Sequence, residues 1–223
     1  MSAERWTAVD HYIDALFVPS DPALEGALRA SADAGLPSIQ VSASQGKLLS
    51  ILAQSIQARS ILEIGSLGGY STIWMARALA PGGMLITLEV DPKHAAVAQA
   101  NLKAAGVADR VDVRLGPALE TLPRLFAEGL GQFDLVFIDA DKPNMWAYFE
   151  WALRMTHPGS IIIADNVVRD GAVVDSASQD SSVQGARRFN AALANEKRVT
   201  ATVIQTVGGK GYDGFAIALV TEA

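Results

Sequence analysis

The sequence predicts an α/β fold, in which helices cover both faces of a mostly parallel sheet of seven strands. From residue 60 onward, short apolar runs alternate with helix-like stretches, which is the pattern of repeated βαβ units. The apolar runs contain few polar residues, as parallel strands do when both faces of the sheet are buried. Two further strand-like segments, joined by a glycine-rich turn, end the chain and predict an antiparallel C-terminal strand.

Each element follows from this alternation. The parallel strands are predicted at Ser60–Ile64, Met84–Glu89, Val111–Leu115, Phe133–Asp139 and Ser160–Ala164. The helices between them are predicted at Ser71–Ala80, Pro92–Ala105, Pro117–Glu128 and Met145–Met155. The closing pair is predicted at Val199–Val207 and Phe215–Val220, with a turn over 208–214.

The remaining segments are predicted to be a helical extension and a loop. Residues 1–58 are expected to form N-terminal helices, with breaks at Pro19, Pro22 and Pro37 and one helix over Ser44–Ile56. Asp175–Gln184 is the most loop-like segment. Residues 1–223 are predicted to form one domain, with its core over residues 59–223.

Composition excludes several classes of function. The 223 residues are 50% hydrophobic, carry a net charge of −6 and include no cysteine. Disulfides, thiolate metal sites and cysteine nucleophiles are therefore excluded. No block of lysine and arginine favours a nucleic-acid partner. No apolar run approaches the roughly 20 residues of a membrane span, and no signal peptide is evident, so we expect a cytoplasmic protein with no membrane partner.

A glycine-rich turn follows the first predicted strand and precedes a helix. Gly65, Gly68 and Gly69 allow a sharp turn and a close approach of a ligand to the backbone. The helix that follows directs its free N–H groups to the same place. Glu89 ends the second strand, 26 positions after Glu63, where a carboxylate binds the ribose in a nucleotide-binding βαβ unit.

The acid before the turn narrows the choice of cofactor. The loop reads Glu63-x-Gly65-x-x-x-Gly69 and is not the Gly-x-Gly-x-x-Gly of dinucleotide enzymes. A carboxylate repels a diphosphate but attracts the ammonium and sulfonium groups of S-adenosylmethionine. A nicotinamide cofactor is disfavoured, because no Tyr-x-x-x-Lys pair is present. A strand, turn and helix without any ligand is the plain structural alternative.

Polar side chains follow two neighbouring strands. Asp139 ends one strand, and Asp165 and Asn166 come directly after the next. Because ligands bind outside the carboxyl ends of parallel strands, we expect these side chains to lie close together. Their oxygen atoms suit Mg²⁺ or a similar hard cation better than zinc. The alternative is that these acids only cap helices.

Lys142 comes next to this cluster. It is a candidate general base for a reaction beside the metal. The structural alternative is a solvated surface lysine, and the spacing alone does not decide between the two.

Taken together, these residues resemble the metal-dependent class I O-methyltransferases of the caffeoyl-CoA and catechol O-methyltransferase family. The matching segments are VSASQGKLL (41–49), ILEIGSLGGYST (61–72), GPAL (116–119), FDLVFIDADK (133–142) and IIIADNVVRDGAVVD (161–175). The resemblance implies a Rossmann-like methyltransferase fold and a homodimer. It also implies catechol-type acceptors, namely aromatic rings with two adjacent hydroxyl groups.

The family's functional residues transfer to this sequence position by position. The cofactor contacts implied by the resemblance are Val41, Glu63, Gly65, Ser66, Ser71, Glu89, Ala118, Asp139, Asp141 and Tyr148. The implied metal ligands are Asp139, Asp165 and Asn166, and the implied catalytic residues are Lys142 and Asp139.

Two departures and two alternatives accompany the resemblance. Val41 replaces a hydroxyl residue of the plant members, and Asp170 stands where they usually have Asn, so the plant substrate preference is not carried over. Magnesium is the expected cation, with manganese or calcium as alternatives. The competing functions are a metal-independent small-molecule methyltransferase and a non-catalytic cofactor-binding protein.

Overall fold

The computed structural model describes residues 2–222. The α-helices in this range are α1 Ala3–Phe17, α2 Pro22–Asp33, α3 Ala43–Ser55, α4 Tyr70–Ala78, α5 Pro92–Ala104, α6 Ala118–Ala127, α7 Met145–Arg154 and α8 Ser181–Leu193. The strands are β1 Ser60–Ile64, β2 Met84–Glu89, β3 Val111–Leu115, β4 Phe133–Ile138, β5 Thr156–Asp165, β6 Val199–Gly208 and β7 Gly211–Val220. Short 3₁₀ turns occupy Ala108–Arg110, Lys142–Asn144 and Ala172–Val174.

The seven strands form one mixed sheet in the order β3-β2-β1-β4-β5-β7-β6. β1, β2 and β3 pair in parallel, as do β4 and β5, whereas β7 is antiparallel to both of its neighbours. The predicted fold class, with its antiparallel C-terminal strand and its N-terminal helices, is therefore confirmed.

The described residues divide into two compact units, of which the first is His11–Arg124. Its strands form a buried apolar centre, with Ile61, Leu62 and Leu85 wholly enclosed. Asp21 caps α2 by accepting the N–H groups of Ala23 and Leu24. Pro22 occupies the first turn of that helix, so the predicted break at Pro22 is a helix start. Proline is favoured there because the first N–H groups of a helix have no partner within it.

The second unit contains the chain up to Asp10 and from Leu125 onward, with β4 to β7, α7 and α8. Phe137, Phe149 and Phe189 are fully buried within it. The prediction that the chain forms one domain stays a prediction.

Two sequence predictions in this second unit were inaccurate. Helix α8 was not predicted, and it begins inside the segment predicted to be a loop, where Asp180 caps it. The C-terminal turn is also shorter than expected, because Gly208 already pairs with Gly211 and the strands extend almost to the tip. Glycines at these positions suggested a long turn, but β7 tolerates them where the backbones approach closely.

No helix within residues 2–222 is long and apolar enough to cross a bilayer. The cytoplasmic location stays a prediction.

Candidate active site

The glycine turn lies between β1 and α4 and has the conformation that its glycines permit. Gly65 and Gly69 have φ values of +98° and +80°, in the left-handed region where other residues are strained. The Gly65 N–H donates to the Leu88 carbonyl at 2.9 Å, which ties the turn to β2. A Cβ at Gly69 would lie 3.4 Å from the Ala98 backbone, an ordinary contact distance, so the positive φ and not the packing on α5 favours glycine here.

Glu63 lies beneath this turn and is wholly buried. Its carboxylate accepts hydrogen bonds from the hydroxyls of Ser71 at 2.6 Å, Thr72 at 2.5 Å and Thr87 at 2.6 Å. A buried charge of this kind is tolerated because three donors replace its water. Glu63 therefore fixes the start of α4 to β2, and its contact with a cofactor stays a prediction.

Glu89 organises the same turn from the end of β2. Its carboxylate accepts the Leu67 N–H at 2.8 Å, the Val90 N–H at 2.9 Å and the Asp91 N–H at 3.0 Å. The Ser66 hydroxyl lies 3.4 Å from the same group. Binding of ribose hydroxyls at Glu89 would therefore have to compete with these donors, and the Ser66 hydroxyl is the most distant of them.

The other predicted cofactor residues of this unit are apolar. Val41 is buried immediately before Ser42, which caps α3, and Ala118 opens α6. Neither side chain can form a hydrogen bond, so any polar contact with a ligand would have to come from the backbone.

Asp139 and Lys142 lie together after β4. Lys142 Nζ is 3.3 Å from Asp139 Oδ1, and the lysine side chain is 7% exposed whereas that of Asp139 is 24% exposed. The alternative of a solvated surface lysine is therefore wrong. A buried amine beside a partly exposed carboxylate is a suitable arrangement for proton transfer.

Asp141 and Tyr148 form a second pair in this unit. The Tyr148 hydroxyl donates to Asp141 Oδ1 at 2.5 Å, and the Asn144 amide donates to Oδ2 at 2.7 Å. Burial, and then the hydrogen bond to Asp141, raise the pKa of Tyr148 above its usual value, so this phenol stays a neutral donor. Asp141 precedes a 3₁₀ turn but makes no capping bond to it, so capping does not explain this acid.

Asp165 ends β5, the neighbour of β4 in the sheet, and Asn166 follows it. Ile138 of β4 pairs with Ala164 of β5, so Asp139 and Asp165 each come one position after that pair. Asp165 is 6% exposed, and its Oδ1 accepts the Asn166 N–H at 2.9 Å. Asn166 has a φ of +57°, in the left-handed region that Asn adopts more readily than most residues.

The predicted metal ligands fit a hard cation by their chemistry. They are two carboxylates and one amide, all oxygen donors, and such sets bind Mg²⁺ or Ca²⁺. No group of three or more His, Cys, Asp and Glu residues within residues 2–222 could hold a metal ion. The predicted metal ligands include only two residues of these types, Asp139 and Asp165, together with Asn166. The absence of a group of three such residues therefore does not bear on the predicted set.

Sequence reasoning missed several residues that support these side chains. Thr87 pairs with Glu63 across β1 and β2, and its polarity within an apolar strand was a usable signal. Gly185 of α8 lies so close to the Lys142 backbone that a Cβ there would be 2.5 Å from the Lys142 carbonyl carbon. No local sequence pattern indicated that contact.

A strand, a glycine turn and a helix, with an acid at the end of each of the first two strands, define a nucleotide-binding α/β enzyme class. The O-methyltransferase family model matches residues 17–218, and the chain belongs to that family. The prediction of an O-methyltransferase, with the fold that goes with it, is therefore confirmed.

Individual relatives are similar over nearly their whole length. A catechol O-methyltransferase of Niastella koreensis is 56% identical over 99% of this chain and 100% of its own. The O-methyltransferase from Bacillus cereus, solved in complex with SAH, has a TM-score of 0.97 and 53% identity, covering 99% of this chain and 100% of that one. TomG from Streptomyces achromogenes, solved with SAM, has a TM-score of 0.95 and 52% identity, covering 99% of each chain.

Proposed function

We propose that this protein transfers the methyl group of S-adenosylmethionine to one hydroxyl of a catechol-type acceptor, with the help of a divalent cation. The observation that carries the proposal is the buried Lys142 amine, 3.3 Å from Asp139 Oδ1. A cofactor-binding module has no need of a buried amine beside a partly exposed acid. The Niastella koreensis relative, named a catechol O-methyltransferase, supports this acceptor class.

Asp139, Asp165 and Asn166 would hold the cation, for which Mg²⁺ is expected and Mn²⁺ or Ca²⁺ would use the same oxygen donors. A cation bound there would supply Lewis-acid chemistry, which lowers the pKa of a phenol whose usual value is about 10. A catechol offers two adjacent hydroxyls that could chelate such a cation, whereas an acceptor with a single hydroxyl cannot. The predicted preference for catechols over simple phenols follows.

Lys142 would take the proton from the reacting hydroxyl onto Nζ. The acceptor oxygen then forms a bond to the methyl carbon, while the carbon–sulfur bond breaks and its electron pair returns to sulfur. The products are the methyl ether and S-adenosylhomocysteine. The chain's contribution is to hold the oxygen and the methyl group in line at near-attack distance.

The cofactor would bind at the glycine turn, with Glu63, Gly65, Ser66, Ser71 and Glu89. The SAH and SAM in the Bacillus cereus and Streptomyces achromogenes relatives support S-adenosylmethionine as the cofactor. Val41, Ala118, Asp139, Asp141 and Tyr148 complete the proposed set.

An acceptor panel tests the proposal. Transfer from labelled S-adenosylmethionine would be compared for catechol, for phenol and for a catechol with one hydroxyl already methylated, each with Mg²⁺. The proposal predicts that only catechol is methylated at an appreciable rate. Equal rates for phenol would support a metal-independent methyltransferase, and no transfer despite cofactor binding would support a non-catalytic protein.

We also propose that the chain forms a homodimer. Helix α1 has no buried residue, and it exposes Tyr12, Leu16 and Phe17 at 60–67% of their surface. Exposed apolar side chains grouped on one helix commonly mark a protein–protein contact surface. Light scattering would give twice the mass of one chain, 23.5 kDa. Replacing Tyr12, Leu16 and Phe17 by serine would shift the mass to that of one chain if α1 forms the interface.

A further inference from the structure

The loop after β5 carries Asn166 and has an unusual backbone. Asn166, Arg169 and Asp170 have φ values of +57°, +55° and +55°, and Gly171 follows with +80°. Residues other than glycine rarely adopt this region, and they persist there only when their surroundings hold them. Asn166 is the first residue of this loop. The direction of its side chain therefore depends on the contacts that fix the loop backbone.

Residues 212–214 at the start of β7 hold the loop. Four successive N–H groups of the loop donate to them. The outer two bond to the backbone, since Val167 donates to the Gly214 carbonyl at 3.0 Å and Asp170 to the Tyr212 carbonyl at 3.1 Å.

The central two N–H groups share one carboxylate. Asp213 Oδ1 accepts from Val168 and from Arg169, each at 2.9 Å. The same oxygen accepts the N–H of Gly214 at 2.9 Å, and Arg169 Nη1 lies 3.6 Å from Oδ2. Hydrogen bonds to a charged acceptor are stronger than those between neutral groups.

We propose that Asp213 is a positioning residue for the metal site, since its carboxylate fixes the strained loop that aims Asn166. This inference rests on the proposed function, in which Asn166 and Asp165 bind the cation. Asp213 is not among the predicted metal ligands, and its Oδ1 already accepts the N–H groups of the loop. Groups that orient metal ligands in this way commonly contribute about 10–100-fold to metal affinity.

The chain offers a matched control at Asp21. Its carboxylate accepts two backbone N–H groups, from Ala23 and Leu24, where that of Asp213 accepts three, and it likewise pairs with an arginine, Arg77, at 2.6 Å. Asp21 caps α2 and holds no predicted metal ligand. Asp21→Ala therefore removes the same kinds of bond without touching the loop.

The test is the dissociation constant of Mn²⁺, measured by electron paramagnetic resonance on the full chain. Asp213→Ala is expected to weaken Mn²⁺ binding by about 10–100-fold while leaving S-adenosylmethionine affinity unchanged. Asp21→Ala is expected to lower the melting temperature but to bind Mn²⁺ as the wild type does. Asp213→Asn keeps an acceptor oxygen, so it is expected to lose less affinity than Asp213→Ala.

The outcomes separate the two proposals. A wild type that binds no Mn²⁺, or an Asp165→Ala variant that binds it normally, would overturn the metal site and this inference with it. A wild type that binds Mn²⁺ through Asp165, together with an Asp213→Ala variant of unchanged affinity, would overturn only the role of Asp213. If Asp213→Ala does not fold, the Mn²⁺ affinity of Asp213→Asn is compared with that of Asp21→Asn instead. Equal Mn²⁺ affinities for these two variants would contradict the inference.

Discussion

Two carboxylates near the carboxyl ends of parallel strands, Glu63 within β1 and Asp139 just after β4, have very different surroundings. Glu63 is wholly buried and accepts three hydroxyl hydrogen bonds from its own chain. The Asp139 side chain is 24% exposed and lies 3.3 Å from the Lys142 amine. A carboxylate with three internal donors stabilises the fold around it. A carboxylate that stays partly exposed beside a buried amine can still contact a ligand. The contrast therefore favours a structural role for Glu63 and a role in the reaction for Asp139.

The largest expected effect is that of replacing Asp139. Asp139→Ala is expected to reduce turnover to below about a thousandth of the wild-type value, because the proposed metal site would lose a ligand. Asp134→Ala is the matched control, since Asp134 lies on β4, the strand that Asp139 follows, has the same 24% side-chain exposure and pairs with His157 at 3.1 Å. Turnover and S-adenosylmethionine affinity of both variants would be measured, and similar losses in the two would contradict a special role for Asp139.

Replacing Lys142 tests the other half of that pair. Lys142→Met is expected to lower kcat about 10²–10³-fold because the proton acceptor is lost, and to leave the S-adenosylmethionine affinity unchanged. The remaining turnover is expected to rise with pH, as hydroxide takes over the role of the base. A pH–rate profile parallel to that of the wild type would show that Lys142 does not accept the proton.

Replacing Glu63 is expected to weaken cofactor binding by a smaller factor than that by which replacing Asp139 lowers turnover. Glu63→Gln places an amide NH₂ among hydroxyl donors and is expected to cost about 1–3 kcal/mol of stability. The informative measurement is its affinity for S-adenosylmethionine, which carries a sulfonium, against S-adenosylhomocysteine, which does not. An equal loss for both would indicate a structural role, with Thr87→Val as the purely structural control. A loss confined to S-adenosylmethionine would show that the Glu63 charge attracts the sulfonium.

Gly185 tests whether the position of Lys142 matters. Gly185→Ala is expected to destabilise the protein by about 1–3 kcal/mol and to lower kcat, because the new Cβ would clash with the Lys142 backbone. Gly26→Ala is the control within a helix, since nothing lies within 4 Å of its position, and it is expected to stabilise by about 0.5–1 kcal/mol. Thermal unfolding and kcat would be measured for both, and a stable, fully active Gly185→Ala would contradict the contact.

The smallest effect concerns a carboxylate whose partner is a surface charge. Hydrogen bonding with Arg198 lowers the pKa of Glu196 to about 2. The depressed pKa gives stability that is present above the unfolded pKa of about 4.5 and lost as the pH falls toward 2. Glu196→Gln is expected to remove this dependence, which is worth less than about 1 kcal/mol. Urea unfolding at pH 3 and pH 6 would measure it, and an unchanged difference between these pH values would contradict the assignment.

The sequence predicted the parts of this fold that depend on local pattern. The apolar strands and the turn at Gly65 and Gly69 are local patterns, and the structure contains them where they were expected. Helix α8 was missed, although Asp180 as a cap and Val183, Ala186 and Phe189 at helical spacing were usable signals. The polar composition of Asp175–Gln184 outweighed them.

The supporting contacts could not be predicted in the same way. Asp213 bonds to Val168 and Arg169 across more than forty residues of chain, and Gly185 contacts Lys142 across a similar distance. Such pairs are set by how the elements pack. The surroundings of Glu63 could not be predicted either. Its burial among hydroxyl groups depends in part on Thr87, which lies on a different strand.

The most direct test of the central claim is methyl transfer to catechol on one preparation, first with Mg²⁺ and then with EDTA. Metal-dependent catalysis predicts transfer with Mg²⁺, loss of transfer in EDTA and recovery when Mg²⁺ is restored in excess. Transfer that continues undiminished in EDTA would contradict it, and Asp139 would then have another role than holding a cation.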